Sequence, residues 1–256
     1  MKNKIILKAM NLSKAFGGLV AVDGVNIEIE RKTMHAIIGP NGAGKTTLFN
    51  LLSGVMAPTT GQVFYKEKDI TNFSPQRRAH LGIGRSYQIT NIFPNLSVLE
   101  NIRLAAQAMG KDNYKFLHRA DSFTKYKYKA EEIINVVGLS GREMSFARNL
   151  PHGEKRKLEL GIMLACDPEL LLFDEPTAGM SSEQVPELIE IIKNVVHNKN
   201  RTAILVEHRM DMVMSISDVI TVMNQGRILA EGSPHDIATN SQVQTAYLGD
   251  LYGELA

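Results

Sequence analysis

Several features that would point to other classes of protein are missing from this sequence of 256 residues. It has one cysteine, Cys166, so it cannot form an internal disulfide, and an apolar helical context suits that residue as a small hydrophobic side chain. It has no run of about 18 apolar residues, and its first residues lack the apolar region and cleavage site of a signal peptide. We therefore expect the chain to stay on the cytoplasmic side of any membrane.

A strong net charge is missing as well. The sequence has 29 Lys and Arg residues against 27 Asp and Glu residues, which leaves a formal charge of +2. This balance gives no global electrostatic argument for a nucleic acid or an anionic membrane as partner. Apolar residues make up 44% of the chain, enough to bury a large core. The composition predicts a folded α/β protein, without internal repeats, whose partners must be argued from local features.

The most informative segment is a glycine-rich loop with the pattern G-x-x-x-x-G-K-T, set between an apolar segment and a helix-like one. Glycines let backbone N–H groups point at phosphate oxygens, and the helix that follows adds its positive end. We predict that Lys45 lies along the β- and γ-phosphates and that the Thr46 hydroxyl coordinates Mg²⁺. The pattern thus predicts a nucleoside triphosphate site formed by Gly39, Pro40, Asn41, Gly42, Ala43, Gly44, Lys45, Thr46 and Thr47.

Hydrophobic periodicity predicts the organisation of the chain. The first thirty residues alternate on both sides of a glycine turn at 17–18, which predicts an antiparallel β layer. Helical patterns at 98–109 and 130–137 predict an inserted helical subdomain at 89–150. Elsewhere strands alternate with helices, which is typical of a mainly parallel sheet. We therefore predict an α/β fold with a phosphate-loop core made of residues 1–88 and 151–256, whose predicted strands include 34–38, 61–65, 169–173, 202–206, 219–223 and 227–230 and whose later helices are 185–196 and 209–216.

Two carboxylates follow the apolar segment 170–173. Asp174, at the tip of a buried strand, is placed to hold Mg²⁺ through water, and Glu175 is placed to polarise the attacking water as a general base. The alternative is a helix cap or a solvated acidic pair. The phosphate loop upstream favours the catalytic interpretation.

These motifs, together with segments 150–156 and 207–208, resemble the nucleotide-binding subunit of ATP-binding cassette (ABC) transporters over about residues 5 to 248. The resemblance implies the cassette fold, ATP and Mg²⁺ as cofactors, and pairing with a second ATPase subunit. It implies that Phe16 stacks on adenine, that Gln88 reaches Mg²⁺ and the water, and that His208 contacts the γ-phosphate. Without it, Phe16 is an ordinary core residue and His208 a helix cap or satisfied polar group.

The segment around Pro151, His152, Gly153 and Glu154 matches the family motif that closes on the ATP of the other subunit, usually written L-S-G-G-Q. Here Pro151 offers neither a hydroxyl nor an N–H, so hydrogen bonds to the γ-phosphate are missing. Either closure is weaker or His152 replaces part of the contact; the plainer interpretation is that proline begins a helix. Ser181 stands where the family often has an aspartate.

Within the family, the chain resembles the branched-chain amino-acid uptake group through segments 84–88, 92–101, 207–210 and 246–249. Urea and amide uptake systems share the L-x-H-G-E form, so the solute stays open. The resemblance implies a peripheral position on the cytoplasmic face of the membrane. It implies membrane permease subunits, a second identical or related ATPase subunit and, indirectly, an extracytoplasmic solute-binding protein as partners.

Two surface segments bear on those partners. We expect the permease at residues 89–102, where an apolar patch is either subdomain core or docking surface; the patch consists of Ile92, Phe93, Pro94 and Leu96. Basic residues are interleaved with aromatic ones at 111–129. This pattern is typical of a solvated helical face and linker; the functional alternatives are contact with anionic headgroups, which the membrane-facing position favours, and stacking on single-stranded nucleic acid.

Two other functions compete with transport. A soluble cassette ATPase acting on nucleic acid or ribosomes is disfavoured by the single cassette and the near-neutral charge, so we expect no nucleic-acid partner. A regulatory module without turnover, suggested by Pro151, is disfavoured by the presence of Lys45, Gln88, Asp174, Glu175 and His208.

Overall fold

The computed structural model describes residues 4–86, 92–110, 124–197 and 200–246. Its strands are β1 (Ile5–Phe16), β2 (Leu19–Glu30), β3 (Met34–Ile38), β4 (Thr60–Tyr65), β5 (Lys68–Asp69), β6 (Ile83–Arg85), β7 (Leu170–Asp174), β8 (Thr202–Val206), β9 (Val219–Asn224) and β10 (Arg227–Gly232). Its α-helices are α1 (Lys45–Ser53), α2 (Pro75–His80), α3 (Val98–Ala108), α4 (Thr124–Val136), α5 (His152–Ala165), α6 (Val185–His197), α7 (Met210–Ile216) and α8 (Pro234–Thr239). Gln88 lies outside the described residues.

The larger sheet has the strand order β10-β9-β3-β8-β7-β6. All of its neighbouring strands run parallel except β10, which pairs antiparallel with β9. Strands β3, β7 and β8 are buried along their whole length, which explains their mainly apolar sequences. The predicted mainly parallel sheet is confirmed. The loop after β3 and the segments after β7 and β8 therefore lie at the same edge of this sheet, at the carboxyl ends of the strands.

The smaller sheet is antiparallel, in the order β2-β1-β4-β5. Strands β1 and β2 pair on either side of the turn at 17–18, so the predicted antiparallel layer is also confirmed. Its inner face shares one apolar cluster with α1 and with one face of the larger sheet; members of that cluster include Ile6, Ile29, Phe49, Leu52, Leu172 and Ile204. Helix α1 is therefore packed against both sheets.

Helices α3, α4 and α5 pack together against the opposite face of the larger sheet. Gly161 lets α5 approach closely, since a Cβ there would lie 3.0 Å from Cδ1 of Ile102 on α3. The same apolar cluster continues from Ile102 and Ile133 to Phe173 in β7. Helix α5 thus joins the helices to the sheet. The predicted boundaries of an inserted subdomain at 89 and 150 stay a prediction.

Helix α4 begins at Thr124, earlier than the predicted start at Ala130. It contains the described end of the basic and aromatic segment, in which Tyr126 is buried and Tyr128 is 70% exposed. The rest of that segment, at 111–123, lies outside the described residues. No helix within the described ranges is long and apolar enough to cross a membrane.

The charged side chain of Arg78 on α2 is almost completely buried. Its guanidinium donates to the carbonyl oxygens of Leu51 and Leu52 in the last turn of α1, and to three more at Ile70, Thr71 and Phe73. Burial lowers the pKa of Arg78 to about 10. A cation at this end of α1 interacts favourably with the negative end of the helix dipole. It also donates hydrogen bonds to carbonyls that have no partner within the helix.

Candidate nucleotide site

The glycine-rich loop follows β3, one of the two central strands of the larger sheet, and leads directly into α1. The φ angles of Gly39, Gly42 and Gly44 are 151°, 76° and 96°. A Cβ at Gly39 would lie 2.2 Å from the carbonyl oxygen of Met223, and one at Gly44 would lie 2.3 Å from that of Ala21. Only glycine fits at 39 and 44, because backbone from β9 and β2 presses on the loop.

Backbone hydrogen bonds hold the loop from the side of the β9–β10 turn. The N–H of Gly226 donates to the Ala43 oxygen at 3.0 Å, and the N–H of Asp23 donates to the Gly226 oxygen at 2.9 Å. Helix α1 begins without a side-chain cap and has no acidic residue in its first turn. The positive end of its dipole therefore faces the loop without a neighbouring carboxylate on the helix.

Lys45 and Thr46 occupy the first turn of α1. Lys45 is buried, and its Nζ donates to the carbonyl oxygens of Gly39 at 2.7 Å and Pro40 at 2.8 Å. Its positive charge is thus held inside the loop. Thr46 is exposed, which leaves its hydroxyl accessible at the mouth of the loop.

Asp174 ends β7 and is buried. Its N–H donates to the Ser86 hydroxyl at 3.1 Å, and its Oδ2 lies 3.7 Å from Nη2 of Arg85. Burial raises the pKa of Asp174, the positive charge of Arg85 opposes that rise, and the charge of Glu175 adds to it. Its Oδ1 is buried and accepts no hydrogen bond within the described residues. A buried acceptor of this kind fits a magnesium ion or its bound water.

Glu175 and His208 come together at the same edge. Asp174 pairs with Val206 in parallel register, so the residues that follow β7 and β8 emerge side by side. Nε2 of His208 lies 2.8 Å from Oε1 of Glu175. Glu175 has a φ of 47°, an unusual conformation for a residue with a side chain, and its N–H donates to the Val206 oxygen at 2.9 Å. The chain thus places a carboxylate and an imidazole in direct contact beside the glycine-rich loop.

Two side chains of this edge were missed in the sequence. Arg85 donates to Oδ1 of Asn50 at 2.7 Å and to the Ser53 hydroxyl, and its guanidinium lies 4.8 Å from the centre of the Phe49 ring. It therefore links α1 to Asp174. Glu207, the residue before His208, is buried, and its side chain binds Thr177 in the segment that carries Glu175. Two features of the sequence could have pointed to them: Arg85 is a basic residue in an otherwise apolar strand, and Glu207 is an acidic residue next to the predicted His208.

Phe16 ends β1 and is 46% exposed, with Nζ of Lys14 5.4 Å from the centre of its ring. It lies on the β1–β2 hairpin, whose second strand also touches the loop at Gly44 through Ala21. An exposed ring at this place is not the ordinary core residue that the sequence offered as the alternative. Its stacking on adenine stays a prediction.

Pro151 is the N-cap residue of α5, and His152, Gly153 and Glu154 form the start of that helix. His152 lies close to Gly179, since a Cβ there would be 3.2 Å from Cε1 of His152. Gly153 is closely covered by the side chain of Gln184, and Glu154 forms an ion pair with Arg142 at 3.2 Å. Proline therefore begins the helix, as in the plainer interpretation. The contact of this segment with the ATP of another subunit stays a prediction.

Within the described residues there is no cluster of three or more His, Cys, Asp and Glu side chains that could hold a metal ion alone. A metal at this edge would depend on Thr46, Asp174 and oxygens from a ligand. A glycine-rich loop between the central strand of a parallel sheet and a helix, with an acidic residue on a nearby strand, defines the class of phosphate-loop nucleotide-binding proteins.

Comparison with known proteins narrows that class. The family described as "ABC transporter" matches residues 22–178, and the one described as "Branched-chain amino acid ATP-binding cassette transporter" matches residues 227–251. The high-affinity branched-chain amino acid transport ATP-binding proteins LivG of Escherichia coli K12 and BraF of Pseudomonas aeruginosa are each 36% identical over 250 residues, which cover 96% of this chain and 98% of theirs. The ADP conformation of an ATP-binding cassette of an ABC transporter superposes with a TM-score of 0.81 at 29% identity, covering 96% of this chain and 100% of that one.

The chain belongs to the ABC transporter family. It is an ATPase subunit of such a transporter, and the predicted cassette fold is confirmed.

Proposed function

We propose that this subunit powers the import of branched-chain amino acids or a similar small polar solute. Support comes from the relatives LivG and BraF, named as branched-chain amino acid transport proteins, and from the matching family at residues 227–251. The observation that carries the ATPase half of the proposal is the contact between Glu175 and His208 beside the glycine-rich loop.

The loop residues 39–47 bind the phosphates of ATP in this proposal. Their backbone N–H groups and the start of α1 face the phosphate oxygens, and Phe16 stacks on the base. Lys45 exchanges the carbonyls of Gly39 and Pro40 for the β- and γ-phosphates. A short movement is enough, because its ammonium already lies inside the loop.

Thr46 and Asp174, with Gln88, hold Mg²⁺. When bound there, the ion would neutralise part of the charge that develops on the phosphates. The buried Oδ1 of Asp174, without a hydrogen bond among the described residues, supports this assignment. Arg85 holds the other carboxylate oxygen of Asp174 in place from the side of α1.

Glu175 is the general base that accepts the proton of the attacking water. His208 donates to Glu175 from the neighbouring segment and so restrains its carboxylate; with ATP present, the same imidazole reaches the γ-phosphate. The 2.8 Å contact supports this pairing because both residues leave adjacent parallel strands.

A second ATPase subunit, identical or related, completes the site with its own segment 150–154. The start of α5 supplies N–H groups and the positive end of a helix to the γ-phosphate. Because Pro151 contributes no donor, His152 and Gly153 have to provide more of the contact in this chain. ATP then closes the pair of subunits, and hydrolysis opens it.

In this proposal the permease docks on the face formed by α2, β6 and α5. A cavity of about 210 Å³ lies between α2, β6 and α5, next to Ser86. Within the patch predicted at 89–102, Ile92 packs on the helical core, whereas Phe93 is 58% exposed. This exposure makes Phe93 the better candidate for contact with a permease. Such docking would place the subunit on the cytoplasmic face of the membrane.

Replacement of the base tests the ATPase half. In membranes that carry the assembled transporter, we expect Glu175→Gln to lower ATP turnover by about 10²–10⁴-fold, because the amide cannot accept the proton. Binding of ATP, measured separately, should be retained. A Glu175→Gln subunit with normal turnover would refute Glu175 as the base.

Uptake tests the transport half. Deletion of the gene should abolish uptake of labelled leucine, isoleucine and valine but leave uptake of urea unchanged, and the reverse pattern would favour the urea and amide alternative. Phe93→Asp should remove stimulation of the ATPase by the permease without unfolding the subunit. Co-purification with ribosomes instead of membranes would contradict the transport proposal altogether.

A further inference from the structure

Glu207 is a carboxylate that the proposed chemistry does not use. It is the first residue after β8, is 4% exposed, and its side chain reaches the segment after β7 at Thr177. Its Oε1 accepts hydrogen bonds from the hydroxyl and the N–H of Thr177, the latter at 3.3 Å. Its Oε2 accepts from the N–H groups of His208 at 2.9 Å and Arg209 at 3.4 Å.

The division between the two oxygens is informative. One oxygen binds only the segment that contains Glu175, and the other binds only the segment that contains His208. A carboxylate buried to this degree is costly unless hydrogen bonds replace its water. Here the donors to Oε2 belong to the segment of Glu207 itself, and the donors to Oε1 belong to the segment after β7, so Oε1 keeps its hydrogen bonds only while the two segments keep this spacing.

That spacing determines whether Glu175 and His208 meet. Glu175 has a left-handed backbone, which persists only where neighbouring contacts determine it. Its own N–H is bound to Val206 of β8, and Thr177 is bound to Glu207. The side chain of Glu207 therefore helps to keep Oε1 of Glu175 and Nε2 of His208 at their distance of 2.8 Å.

We propose that Glu207 is a positioning residue that joins the two segments of the active edge and so holds Glu175 against His208. The inference rests on the proposed function, because positioning has an effect on turnover only if Glu175 and His208 act on ATP. Glu207 itself contacts neither the nucleotide nor the water.

The first test is Glu207→Gln in the assembled transporter. The new amide keeps one acceptor oxygen, and its NH₂ group faces N–H donors of one of the two segments. We expect the turnover number to fall about tenfold to a hundredfold, since small displacements of reacting groups carry costs of this size. The affinity for ATP should change less than about twofold, because the loop at 39–47 is untouched.

Glu169→Gln is the matched control. Glu169 is paired with Arg31 and Lys66 just before β7, at the amino end of the strand whose other end carries Asp174. The same chemical change at the far end of the strand should lower the melting temperature without lowering turnover. A loss of turnover that is equal in both variants would show a general effect on folding and would overturn the inference.

A second variant covers the case in which Glu207→Gln does not fold. Thr177→Val removes one donor to Oε1 and keeps nearly the same shape, so turnover should fall severalfold at unchanged ATP affinity. Normal turnover in a folded Thr177→Val subunit would overturn the inference.

The wild-type chain separates this inference from the function on which it rests. If the assembled wild-type transporter does not hydrolyse ATP, both the proposed function and the positioning inference fail. If it does hydrolyse ATP and Glu207→Gln folds and works normally, only the positioning inference fails.

Discussion

The two halves of the proposed ATP site are built in different ways. Loop 39–45 is held by backbone, with carbonyl oxygens of Met223 and Ala21 so close that only glycine fits opposite them. The segment 151–154 is instead held by side chains, through contacts of Gly153 with Gln184 and of Glu154 with Arg142. Backbone contacts leave few alternative positions, whereas side chains can change rotamer. The difference indicates a preorganised binding half and an adjustable closing half.

Glycine substitutions test the rigid half most strongly. Gly44→Ala should lower the free energy of unfolding by about 4 kcal/mol, because the new methyl group overlaps the Ala21 oxygen and the φ of 96° is strained. Gly42→Ala is the control, with a φ of 76° but nothing within 4 Å of the new Cβ. It should cost about 1 kcal/mol. Urea denaturation of both variants measures the difference, and equal losses would mean that overlap with β2 does not hold the loop.

This loop is the part of the site that the sequence predicts best, because its chemistry lies within nine consecutive residues. Strands β3 and β8 were predicted with their observed bounds, since each is a mainly apolar segment between a polar residue and either glycine or a charged residue. Helix α2 was not predicted, although Ser74 and Pro75 are a helix start signal. The start of α4 was placed too late because alternating lysine and tyrosine residues hide the helical period.

The remaining features depend on contacts between distant residues. Arg78 reaches Leu51 across 27 positions, Arg85 reaches Asn50 across 35, and Glu207 reaches Thr177 across 30. A single sequence gives the residue types but not these pairings, because the sheets bring the partners together only after folding. None of these three residues is part of a recognisable sequence pattern.

Arg78 fixes the other end of α1, the helix that follows the rigid loop, through hydrogen bonds to its last carbonyl oxygens. Arg78→Met should lower the free energy of unfolding by about 3 kcal/mol, because the buried carbonyls of Leu51 and Leu52 lose their donors. The control is Arg77→Met, which removes an exposed side chain that lies over the Phe73 ring at 4.1 Å. That change should cost about 0.5–1 kcal/mol. If the two variants are equally stable in urea, Arg78 does not hold the end of the loop helix.

The strand under the loop is expected to respond to pH. His35 in β3 is buried, with its Nε2 2.7 Å from the Thr221 hydroxyl and 3.8 Å from Oε2 of Glu231, and burial lowers its pKa to about 4. Its pKa is about 6.5 when unfolded, so the unfolded chain binds the proton first as pH falls. Stability should therefore be full above pH 6.5 and decrease between pH 6.5 and 4.

The size of this effect follows from the two pKa values. At pH 5 the loss should be about 2 kcal/mol relative to pH 8. His35→Gln, which does not titrate, should lose less stability over the same interval. Urea denaturation at both pH values measures the two differences. Identical pH dependence in wild type and variant would show that His35 is already able to take up its proton in the folded chain.

The smallest effect is expected in the adjustable half. Pro151→Ser restores a hydroxyl and an N–H at the position that precedes α5, so one or two donors to the γ-phosphate become available to the partner site. In the assembled transporter we expect the apparent affinity for ATP to rise severalfold, while the stability of the subunit changes by less than about 1 kcal/mol. Pro151→Ala is the matched control, since it restores the N–H without the hydroxyl. If neither variant changes affinity or turnover, the closing half already has all the contacts it needs from His152 and Gly153, and Pro151 only begins the helix.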